Sequence, residues 1–162
     1  SASALRKMTR SNFLSGVGGV NTPAFGAERS SAQSISADTR VTLLFNNEFL
    51  DSSSAYDTST GKFTPQTAGK YFVSGSVIMQ SGGASRFEIG FVELYKNDAV
   101  VTESLFDDRS TYTSRARHAH LSAVVDLNGS SDFILLKAFM QISSGTPEIS
   151  DMSTFSAFKI IE

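Results

Sequence analysis

The sequence predicts an all-β protein built from antiparallel strands, and three observations carry that expectation. Beyond residue 22 the apolar residues fall in short runs separated by Gly, Asn, Asp and Ser clusters, the punctuation of strands and turns. No segment there keeps a helical period over helix length. Lys96-Asn97-Asp98 and Asn128-Gly129 read as tight turns, and Asn-Gly is among the strongest short hairpin signals.

Residues 1–22 stand apart. Leu5, Met8 and Phe13 can line one face of a short helix, with Arg6, Lys7 and Arg10 on the others, before Gly16, Gly18 and Gly19 break it. A linker with marginal helix is expected, or else the end of a stalk or capsid anchor. Without a Gly-X-Y repeat such a stalk is not collagen. The start at Ser1 fits a fragment or processed product, with room for a secretion signal upstream.

Residues 23–162 form the expected β domain. Its apolar or alternating runs are 41–45, 70–79, 87–95, 99–106, 117–127, 133–142 and 154–161. Two runs are apolar on both faces. Phe133, Leu135 and Phe139 oppose Ile134, Leu136, Ala138 and Met140, while Phe87, Ile89 and Phe91 oppose Gly90, Val92 and Leu94. A solvated antiparallel strand would be polar on one side, so both faces need cover. In a two-sheet sandwich one face meets the core, and the other is expected to meet another subunit through Phe91, Leu135 and Phe139. Cover by the protein's own loops is the competing reading.

Composition narrows the function classes. The 162 residues suit one domain, with 13 Phe, no Trp and no Cys. Without cysteine there are no disulfides, thiol nucleophiles or thiolate metal sites. That fits a small secreted animal domain less well than a cytosol-assembled viral or phage component. A net charge of -2 does not indicate a nucleic-acid partner, and no apolar run is long enough to span a membrane.

The stretch 45–71 reads FNNEFLDSSSAYDTSTGKFTPQTAGKY, with Phe45, Asp51, Tyr56, Gly61, Phe63, Gly69 and Tyr71 as fixed points. This spacing resembles the signature of the complement C1q-like globular domain. Pro23-Ala24-Phe25 is similar to that family's opening strand, Leu94-Tyr95-Lys96-Asn97 to a strand ending in a Lys-Asn turn, and Ser153 to Phe158, with Phe155 and Phe158, to its closing strand. Val73 and Gly75 depart from it, since the family places aromatic residues there; Phe72 is a candidate for part of the missing bulk, from the other face of the strand. The resemblance implies an antiparallel jelly-roll β-sandwich, related in fold to tumour necrosis factor, that assembles as a homotrimer and binds ligands without catalysis. The departures point to a divergent phage, viral or bacterial member.

Candidate chemistry is sparse. His118 and His120 share a strand face and could chelate a metal, but no third ligand stands at an evident spacing, so a polar outer face is expected. Arg109, Arg115 and Arg117 with those histidines and Tyr112 form a basic group suited to an anionic glycan or phosphate. Asp107-Asp108 is a candidate for calcium, which some members of the resembled family bind, although two carboxylates make no cage. No cofactor is expected. Ser59-Thr60-Gly61-Lys62 lacks the helix that a Ser-x-x-Lys nucleophile needs, and Asn128-Gly129-Ser130 is a glycosylation sequon meaningful only after eukaryotic secretion.

The expected function is therefore a non-enzymatic trimeric binding head. It would be the receptor-binding or capsid-decorating part of a phage or virus fibre or spike, on the virion surface. Its partners would be itself, a host-surface glycan or protein, and a virion stalk or capsid reached through residues 1–22. A secreted C1q-like lectin or ligand, or a purely structural virion trimer, is the alternative.

Overall fold

In the computed structural model, residues 20–82, 87–108 and 114–160 are described, and the N-terminal segment expected to be linker or anchor lies almost wholly outside them. The described residues form β-structure and no helix. The strands are β1 (Ala24–Glu28), β2 (Gln33–Ser34), β3 (Val41–Thr42), β4 (Asn47–Asp51), β5 (Tyr56–Asp57), β6 (Lys62–Phe63) and β7 (Gly69–Gln80). They continue with β8 (Phe87–Lys96), β9 (Ala99–Asp107), β10 (Ala116–Leu127), β11 (Ile134–Ile142), β12 (Glu148–Ile149) and β13 (Thr154–Lys159).

They pair into two antiparallel sheets. In the first, β7 lies between β10 on one side and β13 on the other, followed by β1 and β4; β12 and β2 extend the far end of β7. The second runs β5-β6-β11-β8-β9, with β3 also on β11. The core fills the space between them. From the first sheet come Tyr71, Val73, Val77, Met79, Leu121, Val125 and Phe155; from the second, Val92, Leu94, Ile134, Leu136 and Met140.

The aromatic fixed points are core residues. The Phe25 ring stacks on Tyr56 at 4.7 Å and on Phe63 at 4.4 Å, and meets the edge of Phe155 at 4.9 Å. Tyr71 packs edge-on to Phe63 at 5.8 Å, and Phe45 lies 5.7 Å from Phe155. Polar ends are satisfied. The Phe45 amide donates to the Tyr56 hydroxyl, and the Tyr71 hydroxyl donates to the Thr67 carbonyl. Asp51 accepts the amides of Ser53 and Tyr56, closing the turn after β4. Burial pushes the Tyr56 phenol up to about 12. Gly61 is required by its positive φ of 69° and by the Leu43 carbonyl, which would sit 2.5 Å from any Cβ.

Three expectations need correction. Asn128-Gly129 is not a hairpin, because β10 belongs to the first sheet and β11 to the second. The Asn128 side chain instead accepts the amides of Ser130, Ser131 and Asp132, folding a connection that crosses between sheets. The run 41–45 is a strand only over Val41–Thr42. Finally, Phe72 supplies no missing core bulk, since it lies on the outward face; the room left at Gly75 is filled by Leu136, whose Cδ1 would stand 2.7 Å from a Cβ there, and by Leu121 at 3.3 Å.

β1 and β13 are neighbours, with Ala24 opposite Phe158, and the Lys159 amide donates to the Pro23 carbonyl at 3.0 Å. The 12-residue β7 runs from this end to the opposite one, a span of roughly 35–40 Å.

Candidate functional site

Strand alternation divides the described members of the expected basic group between the two faces of β10. Arg117 falls on the inward parity of β10, where its guanidinium pairs with Asp108 and stands 6.0 Å over the Phe106 ring. It bridges the two sheets at their open edge. Asp108 is thereby committed to an arginine, and among the described residues no three His, Cys, Asp or Glu side chains gather to hold a metal. Arg115 is exposed and lines a shallow depression with Gln80, Ser81, Gly82, Ala116 and Glu148, at the end of β7 remote from Pro23. Arg109 and Tyr112 lie outside the described residues.

His118 and His120 point outward from β10. Their ring centroids are 3.9 Å apart with planes tilted by 45°, and His118 Nε2 is 2.8 Å from Ser76 Oγ on β7. Burial first, and the neighbouring His120 second, hold the His118 imidazole below its ordinary value.

Beyond the histidines this outward face carries an apolar row and a serine row, with the exposed Lys70–Asp126 pair at 3.1 Å beside them. One register row runs Val124, Phe72, Phe158 and Ala24 across four strands, with the Phe72 and Phe158 rings 5.5 Å apart. Phe158, a residue of the closing-strand motif, thus faces out rather than into the core. Val124 is 56% exposed, Phe72 36% and Phe158 37%. The next row is Ser122, Ser74, Ser156, Gly26 and Leu50, and the exposed Phe49 ring covers Gly26.

The outward face of the second sheet answers the question of the doubly apolar strands. Leu135 is 4% exposed within a single protomer and pairs with the buried Tyr95. Phe91 and Phe139 are half-buried and stack on each other at 4.8 Å. Between these pairs sits Glu93, only 3% exposed, which accepts from Arg40 Nε at 3.0 Å and from the Tyr95 hydroxyl at 3.1 Å. The Arg40 guanidinium also lies 4.9 Å over the Phe91 ring. Much of the second apolar face is therefore covered within the protomer. Phe91 continues the row outward to Leu105 on the edge strand β9, which is exposed together with Val100 and Val101.

Sequence reasoning missed both the outward row and the buried carboxylate. Parity could have found the row, since an inward Tyr71 puts Phe72 outside. Glu93, set inside the apolar run FVELY, was the visible signal for the second.

A family model described as "C1q domain" matches residues 24–160. No curated protein sequence matches the chain. Among solved structures, the globular domain of zebrafish complement 1qA protein is similar with a TM-score of 0.63 at 16% identity, over 85% of this chain and 97% of that one. Murine APRIL follows at 0.58 and 10% identity, over 85% and 98%. Eiger TNF from S. frugiperda stands at 0.56 and 13%, over 85% and 91%. At these identities the likeness shows the fold alone: two packed antiparallel sheets in a jelly roll.

Proposed function

The chain belongs to the C1q domain family, and from that premise we propose that it is a non-enzymatic, homotrimeric binding head. Domains of this kind are generally non-enzymatic binding modules, typically extracellular or secreted. The observation that carries the trimer is the exposed row Val124, Phe72 and Phe158 on the first sheet. A monomer gains nothing by leaving such a row in water. A closed ring of three needs two different patches that meet head to tail. The second patch is the β9 edge, where Leu105, Val100 and Val101 are exposed and Phe91 and Phe139 stand half-buried beside them. Of the interface residues expected from sequence, Phe91 and Phe139 remain contributors, while Leu135 serves its own protomer.

The finer reading is a receptor-binding or capsid-decorating head of a phage or virus fibre or spike, displayed on the virion surface. Absence of cysteine and the polarity of the domain support it. Residues 20–23 enter at one end, joined to a stalk or capsid by the preceding segment, and the depression at Arg115 and Glu148 lies at the other. Three such ends on one trimer turn a weak host-glycan or protein contact into an avid one. A secreted C1q-like ligand or lectin is the second reading, favoured by the extracellular habit of the family.

Light scattering at micromolar protein tests assembly, with three chain masses expected and a monomer overturning it. Purified trimer should bind host cells and compete with infection; binding without any virion association, seen by antibody labelling in electron microscopy, would favour the secreted reading.

A further inference from the structure

We propose that His118 and His120 form a chelate for a borderline divalent transition ion, Cu2+, Ni2+ or Zn2+, on the outward face of the first sheet. The chain has only these two histidines and no cysteine, and it places them two residues apart on one strand. Their rings stand 3.9 Å apart and tilted by 45°. Two imidazole nitrogens that share one ion at about 2.0–2.1 Å must approach each other to roughly 3.4 Å in tetrahedral geometry. That places the two ring centroids roughly 5 Å apart, so the rings, now 3.9 Å between centroids, open by about 1 Å through side-chain rotation to take the ion between them.

Ser76 adds what the sequence did not show. Its hydroxyl lies 2.8 Å from His118 Nε2. With Nε2–H donating to that oxygen, Nδ1 keeps its lone pair, the arrangement in which a second group orients a metal-ligating histidine. His120 has no hydrogen-bond partner among the described residues, so neither ring nitrogen is committed elsewhere. No carboxylate joins the pair among the described residues. The two imidazoles thus supply nitrogen alone, which selects transition ions over Mg2+ or Ca2+. They share a face with the row Val124, Phe72 and Phe158, so in the proposed trimer water or the neighbouring subunit completes the shell.

The test is calorimetric titration of the full, tag-free chain with CuCl2, NiCl2, ZnCl2 and, as control, MgCl2. One ion per chain is expected, Cu2+ binding tightest and Mg2+ not at all. His118→Gln and His120→Gln should each weaken Ni2+ by about tenfold or more, and Ser76→Ala by about tenfold. A readout independent of variant folding is proton NMR of the unmodified chain: substoichiometric Ni2+ should broaden the imidazole signals of both histidines together. Absence of transition-ion binding overturns the proposal. So does equal affinity in the His118→Gln/His120→Gln double variant, or broadening of one imidazole alone.

Discussion

Arg40 reaches across β11 to place its Nε 3.0 Å from Glu93 on β8, fastening the segment before β3 to the middle of the second sheet. A carboxylate buried in a mostly apolar face is tolerated only with such partners. Arg40→Ala leaves Glu93 with the Tyr95 hydroxyl and is expected to lower stability in chemical denaturation. Adding Glu93→Gln to Arg40→Ala should recover part of the loss, because the uncompensated charge disappears. Additive losses would show that the pair is not coupled.

Gly75 and Leu136 are matched in volume. A methyl at position 75 would stand 2.7 Å from Leu136 Cδ1 and 3.3 Å from Leu121 Cδ1, so one or both leucines must shift. Gly75→Ala is expected to cost about 1–3 kcal/mol. Gly75→Ala/Leu136→Val should be closer to the parent than the sum of its two single changes, read from denaturation midpoints.

The assembly reading separates two phenylalanines. Phe72→Asp alters an outward residue and should yield a folded monomer by light scattering, with the protomer's melting barely changed. Phe139→Asp breaks the stack with Phe91 beside buried Glu93, so it should lower protomer stability as well as disturb assembly. A trimer unaffected by Phe72→Asp would remove the first sheet from the interface.

Asp132 ties two connections together. It accepts from Asn97 Nδ2 at 3.0 Å and from the Asn128 amide at 3.1 Å, and it pairs with Lys96 at 2.9 Å. The Asn97 side chain first, then Lys96, hold its carboxyl below the usual range. A depressed carboxylate binds fewer protons folded than unfolded, so its contribution is full above the ordinary value near about pH 4 and is lost as pH falls through the lower folded value. Acid denaturation of Asp132→Asn should show a shallower loss of stability over that window than the parent.

Much of the sandwich was legible because strand alternation is local. Inward Tyr71, Val73, Val77 and Met79 can be read from the chain alone, as can the aromatic spacing between Phe45 and Tyr71. What was not legible depends on partners far along the chain. Glu93 finds Arg40 across 53 residues. Asn128-Gly129 has hairpin chemistry, yet the strands on either side of it choose different sheets, and pairing in a sheet is decided by neighbours, not by the turn. The basic group shows the limit most plainly. Arg115, Arg117 and His118 lie within a few residues, but parity aims Arg117 at Asp108 and His118 at Ser76. The sequence groups them as one cluster, and the fold divides them between opposite faces.

The hydrogen bond from Lys159 to Pro23 also makes the order of the strands separable from their arrangement. A short linker from Ile160 back to Pro23 would bridge two points already in contact, and new termini could open in the exposed β8–β9 turn at Asp98. Such a circular permutant keeps every sheet pairing and moves the point of attachment to another part of the surface. A fusion partner could then be hung from the head in a different orientation without redesigning its core.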